Sequence, residues 1–149
     1  MSGGIFYDVE NQLCVAQAFT GSATVSSNSY KKQSAAQDIS IGRRMAVLVL
    51  PTVSAGAGST HTFDVIQADN AALTTNKEVI ATLDVAAADL TTSDRIEIPI
   101  PQGVMSRQYI GLQNTATGGT TTVTVDAYLV PQDEIPKYKS FPKVNDAEV

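Results

Sequence analysis

The sequence predicts an all-β protein: a jelly-roll or two-sheet β-sandwich with extended N- and C-terminal arms. Three observations carry this. Charged residues make up only 17% of the chain and hydrophobic ones 43%. That charge content lies below the roughly 25% of average globular chains, and Thr, Ser and Ala take up the difference. Apolar residues recur in short runs divided by turn residues, and no segment holds a helical period over several turns. The last such run, 120–130 (TTTVTVDAYLV), is followed by a proline-rich ending that reads as no continuation of a sheet. A chain of 149 residues is large enough to bury one real core.

The elements follow in order. Residues 1–10 begin MSGG, small and flexible, and form an N-terminal arm. The domain is expected over 11–130. Residues 13–19 make a first strand. Residues 25–30 make a weaker, Ser-rich one, and 31–37 read as a connection. Residues 44–50 (RMAVLVL) form a continuous apolar run between Gly42 and Pro51, the pattern of a strand buried on both faces. Residues 54–59 (SAGAGS) form a flexible loop.

Residues 60–67 alternate, with Phe63 and Val65 on one face and Thr62 and Asp64 on the other. Residues 78–85 read as a strand or a short helix, and 86–90 blur that choice. Residues 95–100 (RIEIPI) place Ile96, Ile98 and Ile100 on one face, and Pro99 puts the strand at a sheet edge or its end. Residues 107–113 form another strand. A Gly-Gly turn over 116–119 then predicts a hairpin with 120–130.

The tail, 131–149, carries Pro131, Pro136 and Pro142 among Ile135, Tyr138, Phe141 and Val144. Proline holds such a segment extended, and spaced apolar anchors suit an arm lying along another protein. Folding back over its own domain, or disorder, is the alternative. Together with Ile5, Phe6 and Tyr7 of the N-terminal arm, these anchors are the candidate contact residues.

Chemistry is thin. The net charge of −5 argues against nucleic-acid binding, which needs a concentrated basic surface. The pairs Lys31-Lys32 and Arg43-Arg44 read as solvated, or as partners for carboxylates across an oligomer interface. One cysteine, Cys14, allows no intrachain disulfide and sits in an apolar stretch, so it is expected to be a buried, inert thiol. The N-terminus has no signal-peptide pattern and the longest apolar run is too short for a membrane span. These features fit a soluble protein made in a reducing cytoplasm.

The lone histidine, His61, follows a Gly/Ser loop and is expected to be a solvated loop-edge residue. One His and one Cys make no structural zinc site unaided. Asp69-Asn70, and Asp89 with Asp94, are weak calcium candidates, with turn capping as the simpler reading. The segment 55–60 (AGAGST) lacks the Lys of a phosphate-binding loop. No catalytic, cofactor-binding or metal residue is assigned, no cofactor is expected, and the chain reads as no enzyme.

Three stretches resemble the small jelly-roll cement (decoration) proteins of short-tailed bacteriophage capsids. Residues 13–20 (LCVAQAFT) with the Ser-rich SSNSY are similar to the family's Ala-Gln-Ala strand and its continuation. Residues 62–70 (TFDVIQADN) are similar to its strand ending in a polar Asp/Asn turn. Residues 107–130 (RQYIGLQNTATGGTTTVTVDAYLV) are similar to its Arg-Tyr strand, Gly-rich turn and final Val-Asp-Ala strand. The chain departs at Val15, where an acidic residue is usual, and in its longer tail.

The resemblance implies a virion structural protein on the outer capsid surface, assembled in the host cytoplasm. Its partners would be the major capsid protein and a second or third copy of itself at a capsid symmetry axis, with no nucleic acid and no membrane. It would bridge neighbouring capsomers and stabilise the shell. Known members carry no catalytic residues. Against this stands a carbohydrate- or receptor-binding β-sandwich module of a phage tail or cell surface, for which the chain offers no Trp. A cupin-type enzyme needs several metal-ligating histidines.

Overall fold

The computed structural model describes residues 11–119 and 121–134. Among these residues nine strands carry the fold: β1 (Gln12–Phe19), β2 (Thr24–Val25), β3 (Tyr30–Lys31), β4 (Met45–Val53), β5 (Thr60–Ala68), β6 (Glu78–Ala86), β7 (Ile96–Pro99), β8 (Tyr109–Thr117) and β9 (Val123–Pro131). They form two antiparallel sheets packed as a sandwich. One has the order β1-β9-β4-β7; the other has the order β2-β8-β5-β6, with β3 also on β8.

The strands β2 and β3 are two pieces of one edge. Thr24 lies opposite Asn114 and Tyr30 opposite Ile110, both on β8. The predicted strand over 25–30 is therefore broken in its middle. There the Ser26 amide donates to the Leu112 carbonyl at 2.7 Å, and its hydroxyl accepts the Leu112 amide at 3.1 Å. A side chain thus completes the ladder where the backbone departs from it. With these pieces counted as one, the first strand pairs with the last, the second with the last but one, β4 with β7 and β5 with β6. A long hairpin wound into two sheets has this pairing.

The interior lies between the sheets. Phe19, Val47, Val49, Phe63, Val65, Leu112, Val125 and Leu129 are among its buried members, and Phe19 meets Phe63 edge-to-face at 6.5 Å. The alternation read for 60–67 holds through Val65. A register shift at Val65/Ile66 then breaks it, and Ile66, Gln67 and Ala68 are all buried. The segment 78–85 is a strand, and the 3-10 turn Ala87–Asp89 follows it. β7 is an edge strand ending at Pro99, as the proline requires.

The expected hairpin across 116–119 is not formed. β8 belongs to one sheet and β9 to the other, and β9 begins only at Val123. Gly118 and Gly119 do take positive φ (81° and 151°), but they turn the chain across the sandwich instead of back along its own sheet. A Gly-Gly pair marks a change of direction; which sheet receives the next strand depends on which partners can bury its apolar face. Over Ala127–Val130, β9 is buried on both faces, where it pairs with β1 and β4. Pro131, read as the start of the tail, closes β9 opposite Met45.

The sheets differ on their outward sides. On the four-stranded sheet, Ala46, Leu48, Tyr128 and Val130 form a second buried cluster with half-buried Leu50 against it. β4 is thus apolar on both faces, as its sequence predicts. On the five-stranded sheet the outward side is mostly polar. Thr62 donates to Asp84 and Thr82 to Asp64, each at 2.7 Å. At one end a small apolar patch, Ile66 and Ala68, is closed by Leu73 from the loop between β5 and β6.

Candidate functional site

The contact residues expected from sequence, Ile5, Phe6, Tyr7, Ile135, Tyr138, Phe141 and Val144, lie outside the described residues. Within them, His61, Asp69, Asn70 and Asp94 of the groups read for chemistry hold neighbouring segments together.

His61 corrects its expectation. It is fully buried, because it sits two residues before Phe63 on β5 and shares that strand's inward face. Its ring stacks on Phe63 at a centroid distance of 6.3 Å. Nδ1 lies 3.1 Å from Asn114 Oδ1 and Nε2 2.9 Å from the Thr121 hydroxyl. An accepting amide oxygen requires the proton on Nδ1, so Nε2 accepts from Thr121. Thr121 in turn meets the Ser59 hydroxyl. The Nδ2 of Asn114 is buried with no partner among the described residues. The arrangement ties β5 to β8 and to the segment that leads into β9.

Lys32 is a second correction. Lys31 is exposed, but Lys32 is only 1% exposed. Its ammonium donates to the carbonyls of Ala35 at 3.1 Å and Gln37 at 2.5 Å. Burial pushes its pKa down, and nearby Asp38 partly offsets this. Sequence reasoning treated the pair as one solvated unit; strand alternation at β3 sends its two members to opposite sides.

Asp38 has the complementary role. One carboxylate oxygen accepts from the amide and hydroxyl of Ser40, the other from the amides of Gly103 at 2.9 Å and Met105 at 3.3 Å. Burial alone would raise its pKa, but these donors outweigh it and hold the carboxyl below its ordinary value. Lys32 and Asp38 thereby pin the connection 32–41 to the segment 101–105. Nothing in the sequence marked Asp38 as a tie between segments, because Gly103 and Met105 lie more than sixty residues away.

Arg107 was read only as a strand residue. It ties the far end of the five-stranded sheet: Nε donates to Glu78 at 3.1 Å and Nη1 to Asp69 at 3.2 Å. A bond from Asn76, then Arg107, lowers the Asp69 pKa; Arg107, then Gln67, lowers that of Glu78. Gln67, 2% exposed, donates to Glu78 and accepts from the amides of Ser106 and Arg107. Asp69 is thus engaged by Arg107 and Asn76. Asn70 accepts from the amides of Thr74 and Thr75, each at 2.9 Å, and Asp94 from the Thr91 amide at 3.0 Å. That is turn chemistry. Among the described residues no group of three or more His, Cys, Asp or Glu is placed to hold a metal ion.

Cys14 is buried, and burial, then the Asp126 carboxylate, push its thiol up to about 12. It stands beside a bulge in β1, where Ala16 takes φ 48° and its amide donates to Asp126 at 2.7 Å. Val15, where the resembling family has an acid, is half exposed on this bulge. Arg43 pairs with Asp133 at 3.3 Å within the chain, so that pairing needs no oligomer interface. A polar groove borders β3 between Gln12, Asn28, Tyr30 and Ala71, and no buried charged group is aimed into it.

The family model named Bbp16 matches residues 13–129, from the first strand to the last. The chain belongs to the Bbp16 family. No curated protein matches it. Family membership and the β-sandwich are together compatible with a phage structural protein.

Proposed function

We propose that this Bbp16-family protein is a capsid cement protein of a tailed phage. It binds the outside of the icosahedral shell, contacts the major capsid protein and its own copies, and bridges neighbouring capsomers in a structural, non-catalytic role. The observation that carries the reading is the family match, which spans the whole sandwich. Its physics also suits the task. His61, Asp69 and Asp38 are occupied in tying separate segments together, which favours a stiff body.

A stiff body that binds only the assembled shell stabilises it by mass action, since its binding energy is lost when capsomers separate. Many copies with moderate interfaces add up to a large effect. In this reading the proline-spaced anchors Ile135, Tyr138, Phe141 and Val144 contact the shell.

The test is co-sedimentation of the purified protein with capsids stripped of it, with its solution mass measured by light scattering. Saturation at a fixed ratio to the major capsid protein is expected, and removal of 135–149 should weaken attachment while the domain stays folded. No binding by the full chain would overturn the proposal.

A further inference from the structure

Of the sheet edges formed by the described residues, all but one are blunted against further pairing. β1 carries register shifts on both sides of Cys14, with Ala16 at φ 48° in the second of them. β2 and β3 are one edge broken into two-residue pieces. β7 has four residues and ends at Pro99. Such devices keep a sheet from pairing with another chain. β6 has none of them from Ala81 onward. It runs for nine residues without a proline, and its one register shift lies before Ala81. Among the described strands it pairs with β5 alone.

The free backbone groups of this edge can be named. The Ala87 amide donates to the Ser59 carbonyl at 2.8 Å, one step beyond the Thr60–Ala86 pair. In an antiparallel ladder alternate residues turn both backbone groups to the partner. Ala81, Leu83 and Val85 therefore bond β5, and Thr82, Asp84 and Ala86 turn their N–H and C=O to the open edge. The side chains divide the same way. Thr82, Asp84 and Ala86 are exposed. Ala81, Leu83 and Val85 point inward and pack on the main core, yet they stay half-buried, while Val65, Phe63 and His61 opposite them are fully buried. The edge thus leaves an aliphatic seam and a row of backbone groups partly in water.

We propose that β6 pairs with β6 of a second copy, antiparallel about a two-fold axis at Leu83, to make one continuous sheet across both molecules. The occupant is a second copy because the edge is complementary to itself. In this register Thr82 stands opposite Asp84 of the other copy, and Asp84 opposite its Thr82. That repeats the pairing already used between β5 and β6, where Thr62 donates to Asp84 and Thr82 to Asp64, each at 2.7 Å. On the inward side Leu83 meets Leu83, and Ala81 meets Val85, which buries the aliphatic seam. A neighbouring register centred on Asp84 sets carboxylate against carboxylate, which is destabilising. One centred on Thr82 leaves Asp84 facing Ile80. The same patch serves both molecules, as a two-fold interface requires. The pairing deepens the cement reading by naming the contact between copies, and it is a property of the protein without capsids.

The test is the mass of the full-length protein by sedimentation, with a cross-link to fix the register. One edge makes an interface at the small end of the range, so a dimer that dissociates on dilution is expected. On the axis, Leu83 and its copy form a non-hydrogen-bonded pair with Cα atoms about 4.5 Å apart, inside the roughly 4.4–6.8 Å that a disulfide spans. The native Cys14 is buried, so Leu83→Cys is expected to give an oxidised dimer. Val85→Cys should not, since its two copies lie about 13 Å apart along the strands. Thr82→Pro removes a donor that faces only the open edge, so a folded monomer is expected. Thr82→Lys sets an ammonium opposite Asp84 of the second copy and should tighten the dimer; loosening would overturn this register. A protein that is monomeric at every concentration, or a dimer in which Leu83→Cys fails to cross-link, would overturn the pairing. A monomer that still saturates stripped capsids would do so and leave the cement reading standing. A β6 dimer that ignores capsids would overturn the cement reading and keep the pairing.

Discussion

The two outward faces of the sandwich are built from strands of equal length and the same two-residue period, yet they solve opposite problems. Where β4 pairs with the end of β9, the outward positions Ala46, Leu48, Tyr128 and Val130 are all buried. Along β5 and β6 they are Thr62, Asp64, Thr82 and Asp84, cross-linked by hydroxyl-to-carboxylate bonds and open to water. Position in a strand says only which residues share a face. The residue types on that face say whether another layer covers it. The one exception on the polar sheet, Ile66 and Ala68, has its own lid in Leu73.

The sharpest way to break this comparison is to place a carboxylate on each face. Ile98→Asp, in the interior and 1% exposed, is expected to unfold the domain, because it buries an unpaired charge. Leu48→Asp is expected to do nearly as much, although it points away from that interior. Thr82→Asp should melt close to the parent. A normal melt for Leu48→Asp would show that the outward apolar cluster is not buried. Tyr109 is half-buried, so Tyr109→Asp is expected to be milder than any of the buried substitutions.

Truncation sharpens the same contrast. Leu48→Ala and Leu73→Ala are each expected to lose about 2–5 kcal/mol in denaturant melts, as buried leucines do. Thr82→Ala should stay within about 0.5 kcal/mol, as exposed positions do.

Gly111 tests the lid from below. A Cβ there would lie 2.2 Å from Leu73 Cδ1, so Gly111→Ala must displace the lid. A loss of about 1–3 kcal/mol is expected from overpacking. Adding Leu73→Ala should cost less than the sum of the two single changes, since the second removes what the first strikes. Strict additivity would show that Leu73 does not rest on Gly111.

The smallest effects are expected from pH. The Asp38 carboxyl is held below its ordinary value when folded, so it contributes stability above the unfolded pKa near 3.8 that is lost as pH falls through the folded value. Asp38→Asn should flatten that acid limb of a stability-pH curve. The Cys14 thiol acts at the other end. Its folded pKa of about 12 stands above the unfolded 9.0, so stability is full below pH 9.0 and declines as pH rises toward 12. Cys14→Ala should remove this alkaline decline, and alkylation of Cys14 should need denaturant.

Much of the fold was legible in the chain because it rests on local period. The double-sided burial of β4 follows from RMAVLVL, the edge position of β7 from Pro99, the inward Phe63 and Val65 from alternation, and the buried thiol from its apolar neighbours. These depend on which side chains a strand turns to the same face, and that is set by the chain's own geometry. The misplaced residues failed for one shared reason. His61 and Lys32 were judged by flanking sequence, a Gly/Ser loop and a basic pair, whereas their burial depends on partners at Asn114 and Thr121, and on the carbonyls of a loop that folds back.

Only the tertiary structure could place β9 in the opposite sheet from β8. A Gly-Gly turn permits either destination, and the choice falls to the strands β9 pairs with, β1 and β4. Tertiary structure likewise decided the role of Arg107, whose partners Asp69 and Glu78 are distant in sequence, and brought the amides of Gly103 and Met105 to Asp38 beside its sequence neighbour Ser40. The sequence by itself determined the β class, the strand faces and the family resemblance. The folded chain decided which polar groups are structural, since hydrogen-bond partners are fixed by position in space and a linear pattern does not encode them.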